Sequence, residues 1–338
     1  MELQHHFSLK KLHTFGIDCF AENYCEVSTK DELNDLIHSI ETLPHPILFL
    51  GGGSNILFRA DFSGTVIKIS LLGKQILHEN KEEVFVHCAA GENWHSIVEW
   101  AVMNDWGGIE NLALIPGNCG AAPLQNIGAY GVEICQSLVN VHWFELSTRT
   151  ERIITNEECN FGYRDSVFKR DLKDKGIITG ITLRLSKNPT PHYNYADVQS
   201  ELKEQKIVNP TIKNIFNAVV QIRSRKLPNP NDIGNAGSFF KNPIISEIQF
   251  TQLQSQYPEI PHYQQNDGRI KIPAGWLIEK AGWKGFRQGD AGVSPKQALV
   301  LVNYNNATGE EIYQLSQNIL DDILNKFNIQ LEREVNIL

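Results

Sequence analysis

From Asn111 to Val132 the chain reads NLALIPGNCGAAPLQNIGAYGV, a run without a single Asp, Glu, Lys, Arg or His. Gly117, Gly120, Gly128 and Gly131, with several small neighbours, allow close backbone approach there. So uncharged a stretch makes a poor solvated surface loop. A tight loop can hold a pyrophosphate through backbone N–H groups alone, so the missing Lys and Arg are no obstacle to an anionic ligand. On chemistry alone, a buried structural crossover is the competing reading.

A second glycine loop, GGGSNILF at 51–58, follows the apolar stretch PILFL at 46–50. It does not fit a Rossmann fingerprint, because the third glycine is replaced by Asn55 or Ile56 and no acidic residue stands near 71–73. No G-K-[ST] follows either, which excludes a P-loop. What remains is a strand delivering backbone amides, with Ser54 and Asn55 as additional hydrogen-bonding groups.

At 338 residues, with 41% hydrophobic and 21% charged residues, the chain is long enough for two or three packed units. A net charge of -8 disfavours nucleic acid and anionic membranes as partners. The N-terminus has no apolar signal region and no stretch is long enough to span a bilayer, so a cytoplasmic protein is expected. Cys19, Cys25, Cys88, Cys119, Cys135 and Cys159 show no C-x-x-C spacing and are expected as reduced, mostly buried thiols. The histidines form no H-E-x-x-H, and no metal is expected.

Apolar spacing predicts helices near 30–41, behind a Thr29/Glu32 capping box, and near 93–105, 211–225 and 309–327. Strands are predicted at 46–50, in TVIKIS and VFVHCAA, through a β-rich stretch over 138–185, and in the final QLEREVNIL. KNPTPH at 187–192 suits a domain border.

Together GGGSN, IPGNCGAAPLQNIGAYG, GYRDSVFK at 162–169 and GNAGSFFKNP at 234–243 resemble the UDP-N-acetylenolpyruvoylglucosamine reductase family, in its type I form, nearly end to end. The resemblance implies an α+β chain. A two-lobed FAD-binding domain of the vanillyl-alcohol-oxidase (PCMH) type would cover 1–187, its lobes divided near residue 70, and an α+β substrate-binding domain would cover 188–338. It implies non-covalent FAD held by Gly51, Gly52, Gly53, Ser54, Asn55, Pro116, Gly117, Gly120, Gln125, Asn126, Gly128, Ala129 and Gly131. NADPH would be the electron donor, UDP-N-acetylglucosamine-enolpyruvate the substrate, and the protein a monomer.

By the same resemblance, Arg164 faces the substrate carboxylate, Ser238 protonates C2 and Glu334 assists, while Tyr195, Lys226, Asn242 and Gln297 contact the rest of the substrate. The chemistry is consistent with this. Hydride transfer to an anionic acrylate needs positive charge or proton donors facing the carboxylate. A serine hydroxyl stays protonated at neutral pH, where a carboxylic acid would be ionised and would repel an enolate. Arg223, Arg225, Lys226 and Lys241 add local positive charge for a diphosphate. From the residues alone, Arg164 could instead pair with Asp165, and Glu332 and Tyr193 compete with Glu334 and Tyr195. Many relatives carry an arginine where this chain has Asn336 and stops at Leu338, which puts the outer support of Glu334 in doubt. Two other functions share parts of the pattern. An oxygen-using alcohol or sugar oxidase on the same scaffold would tether its flavin covalently, and a nucleotide-sugar binding module would show no flavin band.

Overall fold

The computed structural model describes residues 2–338. Packing divides the chain into two units, the first comprising residues up to Phe7, Ala21–Gly53 and Ser63–Ser224, the second Ser8–Phe20, Ser54–Phe62 and Arg225–Leu338.

The first unit contains two sheets. One is four-stranded, ordered Gln4–Ser8, Phe20–Val27, Phe62–Ile69, Ile47–Leu50, and its last pair is parallel. The other is antiparallel and five-stranded, ordered Thr150–Thr155, Leu138–Glu145, Gly176–Ser186, Glu83–Ala89, Lys74–Glu79. Between them lies a core of Val27, Ile67, Ile69, Ala89, Phe144 and Ile177, closed by Leu33, Leu36 and Ile37 of α1 (Lys30–Ser39). That helix starts where its capping box dictates: Glu32 N donates to Thr29 Oγ1 and Thr29 N to Glu32 Oε2, both at 3.1 Å. Losing such a cap typically costs about 1 kcal/mol.

The five-stranded sheet also builds a larger core. Val84, Val86, Val141, Ile181, Leu183 and Leu185 pack there with Trp94, Ile97, Val98 and Ala101 of α2 (Trp94–Met103). Val198 and Leu202 of α3 (Ala196–Glu204) and Ile215, Ala218, Val219 and Ile222 of α4 (Ile212–Lys226) belong to the same core. Packing accordingly divides the two units between Ser224 and Arg225. Residues 187–192 are stitched to the first unit: Lys187 N donates to Glu82 O at 2.7 Å, and Asn111 Nδ2 to His192 O at 2.9 Å.

In the second unit Gly234–Ser238, Val300–Asn303, Ala291–Val293 and Arg287–Gln288 form one sheet, in that order. Two further helices, α5 (Glu247–Gln256) and α6 (Ala274–Lys280), precede α7 (Gly309–Phe327). The last is the helix predicted at 309–327, burying Ile312, Leu315, Ile319, Ile323 and Phe327. Early segments complete this unit, as Asn303 Nδ2 donates to Phe15 O at 3.0 Å and Ile56–Leu57 pairs in parallel with Asn336–Ile337. The C-terminal segment is not the continuous strand expected. Arg333 bridges Phe240 and then Asn336–Ile337 pairs with Ile56–Leu57, because the segment changes partner midway.

All six cysteines are free thiols, and every one except the half-buried Cys135 is buried. Among the described residues no helix is long and apolar enough to cross a membrane.

Strands Glu83–Ala89 and Leu138–Glu145, which flank Gly176–Ser186, carry His87 and His142, whose rings meet edge-on with centroids 4.5 Å apart. A Cβ at Gly180, between them, would lie 2.4 Å from His87 Cε1. Burial, the His142 imidazole and Lys30 push His87 down to about 4, and burial also lowers His142. Unfolded histidine titrates near its ordinary value of about 6.5, so the unfolded state gains protons first and stability falls as pH drops from there towards 4. The loss is at most about 1.4 kcal/mol per pH unit for His87. Urea unfolding at pH 7 and pH 5 should show this decrease, and His87→Gln should shrink it. An unchanged decrease in the variant would assign it to other groups.

Candidate active site

The uncharged loop is pinned to the edge of the larger core. Cys119 N donates to Glu92 O and Gly120 N to Ala90 O, both at 2.9 Å, Trp94 N donates to Gly117 O at 3.0 Å, and Asn118 Nδ2 to Gly91 O at 3.0 Å. The Gly120 amide is therefore engaged, and a Cβ there would lie 2.6 Å from Ala90 Cβ, so this glycine serves close packing.

At Gly52 the first glycine loop meets the second. A Cβ on Gly52 would lie 2.8 Å from Asn118 Oδ1 and 3.0 Å from Gly117 Cα, while Gly53 and Gly117 adopt φ of +58° and +113°. The two loops leave no room for a side chain at Gly52, which suits an anionic cofactor held by backbone. Gly51, Gly52 and Gly53 end the first unit's segment here, and Ser54 and Asn55 begin one of the second unit's.

Arg164 sits in a tight hairpin in which Gly162 and Asp165 exchange backbone hydrogen bonds of 3.0 and 3.3 Å. Its φ is +54°, a left-handed conformation that costs a non-glycine residue about 1 kcal/mol or more. The neighbouring carboxylate does not take the guanidinium: Asp165 pairs with Arg170. Instead Arg164 Nη2 donates to Gly128 O at 2.7 Å and Nη1 reaches Asn126 O at 3.5 Å. Arg164 and the second glycine loop are thus brought together within the first unit.

Asn126, expected as a cofactor contact, has its side chain engaged elsewhere. It is 1% exposed, Nδ2 donates to Glu133 Oε2 at 2.9 Å and Gly162 O at 3.2 Å, and Oδ1 accepts from Cys135 N at 3.2 Å.

Tyr130, also left-handed at φ +50°, lies beside Gly131. Its ring meets that of Tyr195 edge-on at 5.4 Å, and its hydroxyl bonds Arg223. Burial raises the Tyr130 hydroxyl's pKa; burial and Arg164 lower that of Arg223, while Tyr130 opposes the fall. Sequence reasoning noted Arg223 only as general positive charge and missed Tyr130, although it stands inside the GAYG motif. Tyr193 lines a separate shallow depression with Gln199, Leu202 and Pro210. Tyr195 is the residue that caps the start of α3, a helix the sequence analysis did not predict.

In the second unit, Ser238 ends the strand Gly234–Ser238 opposite Val300, just after a bulge at Gly237 with φ +69°. The next residues pair with the C-terminal segment, as Glu334 N donates to Phe239 O at 2.8 Å and Lys241 N to Glu332 O at 2.9 Å. Glu334 therefore lies across from Phe239, one residue from Ser238. The two competing glutamates part here. Glu332 is exposed and pairs with Lys241 at 3.0 Å, while Glu334 is half-buried, its carbonyl accepting from Asn55 Nδ2 at 3.3 Å. Asn336 donates to Asn55 O through its backbone N at 3.1 Å and its Nδ2 at 2.9 Å, so Asn336 supports Glu334 through Asn55.

Asn242 and Gln297 both flank the start of α6: Asn242 Oδ1 accepts from Ala274 N at 2.9 Å, and a Cβ on Gly275 would lie 3.1 Å from Gln297 Oε1. Lys226 is half-buried at the last residue of α4.

Residues 229–338 match the family described as UDP-N-acetylenolpyruvoylglucosamine reductase, C-terminal domain, and residues 21–156 match the one described as FAD binding domain. The chain is 46% identical over 339 residues to the UDP-N-acetylenolpyruvoylglucosamine reductase of Flavobacterium johnsoniae, covering 100% of both chains. It is 43% identical to that of Chromobacterium violaceum, covering 98% of this chain and 97% of that one. The crystal structure of the Thermus caldophilus enzyme of the same name shares the fold at a TM-score of 0.69 with 24% identity, covering 99% and 98% of the two chains. The expected α+β fold with an FAD-binding domain holds.

Two outcomes follow from this geometry. Gly52→Ala is expected to weaken FAD retention at least tenfold, read as the flavin-to-protein ratio after dilution, because Asn118 and Gly117 must both shift to admit the methyl group. Both Arg164→Gly and Arg164→Ala lose the guanidinium contacts, and Arg164→Ala is expected to melt below Arg164→Gly, since only glycine takes φ +54° without strain. Equal melting of the two variants would show that the left-handed turn stores no strain.

Proposed function

The chain belongs to the UDP-N-acetylenolpyruvoylglucosamine reductase family, and from that premise we propose that it uses NADPH and FAD to reduce UDP-N-acetylglucosamine-enolpyruvate to UDP-N-acetylmuramate. The observation that carries the reading is Arg164, held in a strained left-handed turn with its guanidinium on loop carbonyls while its neighbour Asp165 goes to Arg170. Backbone strain of this kind persists where function requires the conformation.

In the first unit, Gly51, Gly52 and Gly53 with Pro116, Gly117 and Gln125 of the second glycine loop would hold FAD, and Ser54 and Asn55 would add hydrogen-bonding groups. When bound, FAD supplies the hydride chemistry, accepting a hydride from NADPH and passing it to C3 of the enolpyruvyl group. Arg164 receives the substrate carboxylate and stabilises the negative charge that builds there as C2 gains electron density. Ser238 gives its hydroxyl proton to C2, as an enolate carbon is basic enough to take it. Glu334, one step across the chain from Ser238, acts with it in protonating or stabilising that intermediate. Tyr195, Lys226, Asn242 and Gln297 hold the uridine diphosphate portion, which does not change in the reaction. The enzyme works in the cytoplasm, as a monomer.

Ser238→Ala separates the two halves of the reaction. Under anaerobic conditions, bleaching of the flavin by NADPH should stay near the wild-type rate, while recovery of the flavin band on adding the enolpyruvyl substrate should slow by about 10² to 10⁴. In heavy water the wild-type product should carry solvent deuterium at C2. Equal slowing of both halves in Ser238→Ala would mean that this serine shapes the flavin site and donates no proton. A wild-type flavin band that stays bleached with substrate would falsify the proposed function.

A further inference from the structure

We propose that Asn126 and Glu133 are positioning residues that fix the guanidinium of Arg164, an inference that rests on the role given to Arg164 above. Asn126 touches the Arg164 hairpin from both ends. Its Nδ2 donates to the carbonyl of Gly162, the first residue of the turn, and its own carbonyl faces Arg164 Nη1. Arg164 Nη2 then returns to Gly128 O, two residues further along the same loop. Side chain, hairpin and guanidinium close a ring, so a rotation of the Asn126 amide moves the turn on which Arg164 stands.

Glu133 sets the orientation of that amide. An ionised carboxylate only accepts, so Glu133 Oε2, 2.9 Å away, requires the NH₂ side of Asn126 and leaves Oδ1 for Cys135 N. Glu133 is held in turn. It pairs with Gly128 in a short antiparallel ladder, forms a capping box with Gln136, and its Cγ would lie 2.9 Å from a Cβ on Gly128. Every N–H of the Asn126 side chain is engaged, and at 1% exposure water cannot replace these bonds. The competing explanation is that Asn126 merely satisfies buried backbone groups, with no consequence for Arg164.

The test is a double-mutant cycle on the intact flavoenzyme. Asn126→Gly removes the side chain without adding backbone strain, because glycine accepts the φ of +46° found there. Anaerobic oxidation of the NADPH-reduced enzyme by the enolpyruvyl substrate is expected to slow 10- to 100-fold in Asn126→Gly, the usual effect of a misplaced group about 1 Å from its productive position. In an Arg164→Ala background the same substitution is expected to change the rate less than about twofold, because its effect passes through the missing guanidinium. Glu133→Ala should follow Asn126→Gly, whereas Glu133→Gln, which keeps an acceptor for Asn126 Nδ2, should stay near wild type. If Asn126→Gly folds poorly, the two Glu133 variants carry the same comparison. Independently of activity, amide exchange across residues 160–168 should rise in Asn126→Gly and Glu133→Ala and not in Glu133→Gln.

Slowing by the same factor with and without Arg164, or unchanged exchange across 160–168, overturns the proposal. If Arg164→Ala alone leaves substrate oxidation of the reduced enzyme intact, it is the role of Arg164 that fails, and the brace loses its purpose with it.

Discussion

A Cβ on Gly52 would lie 3.0 Å from Gly117 Cα and 2.8 Å from Asn118 Oδ1, and the meeting of the two glycine loops depends on that close approach. Neither loop could hold such a position alone. The second is tied down by Cys119, Gly120 and Asn118, which bond to residues 90–92 between a central strand and the start of α2. Loops placed on rigid elements can present backbone donors with little reorganisation, which gives an acidic protein an anion site without a basic patch. The absence of charge between Asn111 and Val132 is thus a packing requirement, since a long polar side chain would have to be buried where two backbones already touch.

The same loop governs Arg164. A left-handed arginine costs about 1 kcal/mol or more, and several modest hydrogen bonds of about 1 kcal/mol each outweigh it only if they act on one rigid turn. They do: the turn's own backbone pair, the Asn126 amide on Gly162 and the guanidinium on Gly128 all bear on four consecutive residues. Arg170 contributes by pairing with Asp165, which would otherwise pull the guanidinium aside.

Local pattern made much of this legible. The capping box at Thr29 announces α1, and apolar spacing announces α2, α4 and α7, because each signal lies within a few residues of the element it sets. Which core a helix joins is a different matter. Nothing in the spacing of Ile215, Val219 and Ile222 says that they pack with Val198 and Trp94. α5 escaped notice because only Phe250 and Leu253 are buried along it, and α6 because seven residues are too few to show a period. The site residues were legible as motifs, but motifs do not show what a side chain is spent on. The Asn126 motif position suggests a ligand contact, while its side-chain amide bonds Glu133, Gly162 and Cys135.

The C-terminal segment shows how tertiary context resolves a choice that periodicity leaves open. Glu332 and Glu334 would share a face of a regular strand, and alternation cannot rank them. The segment instead spends Arg333 on Phe240 and on Ser316 and Gln317 of α7, then turns to Ile56 and Leu57. Glu332 is left outside with Lys241. Glu334 is held through its main chain on both sides, by Phe239 and by Asn55, with Asn336 closing the second contact. Alternation alone leaves the two glutamates equivalent, and the change of partner at Arg333 is what separates them.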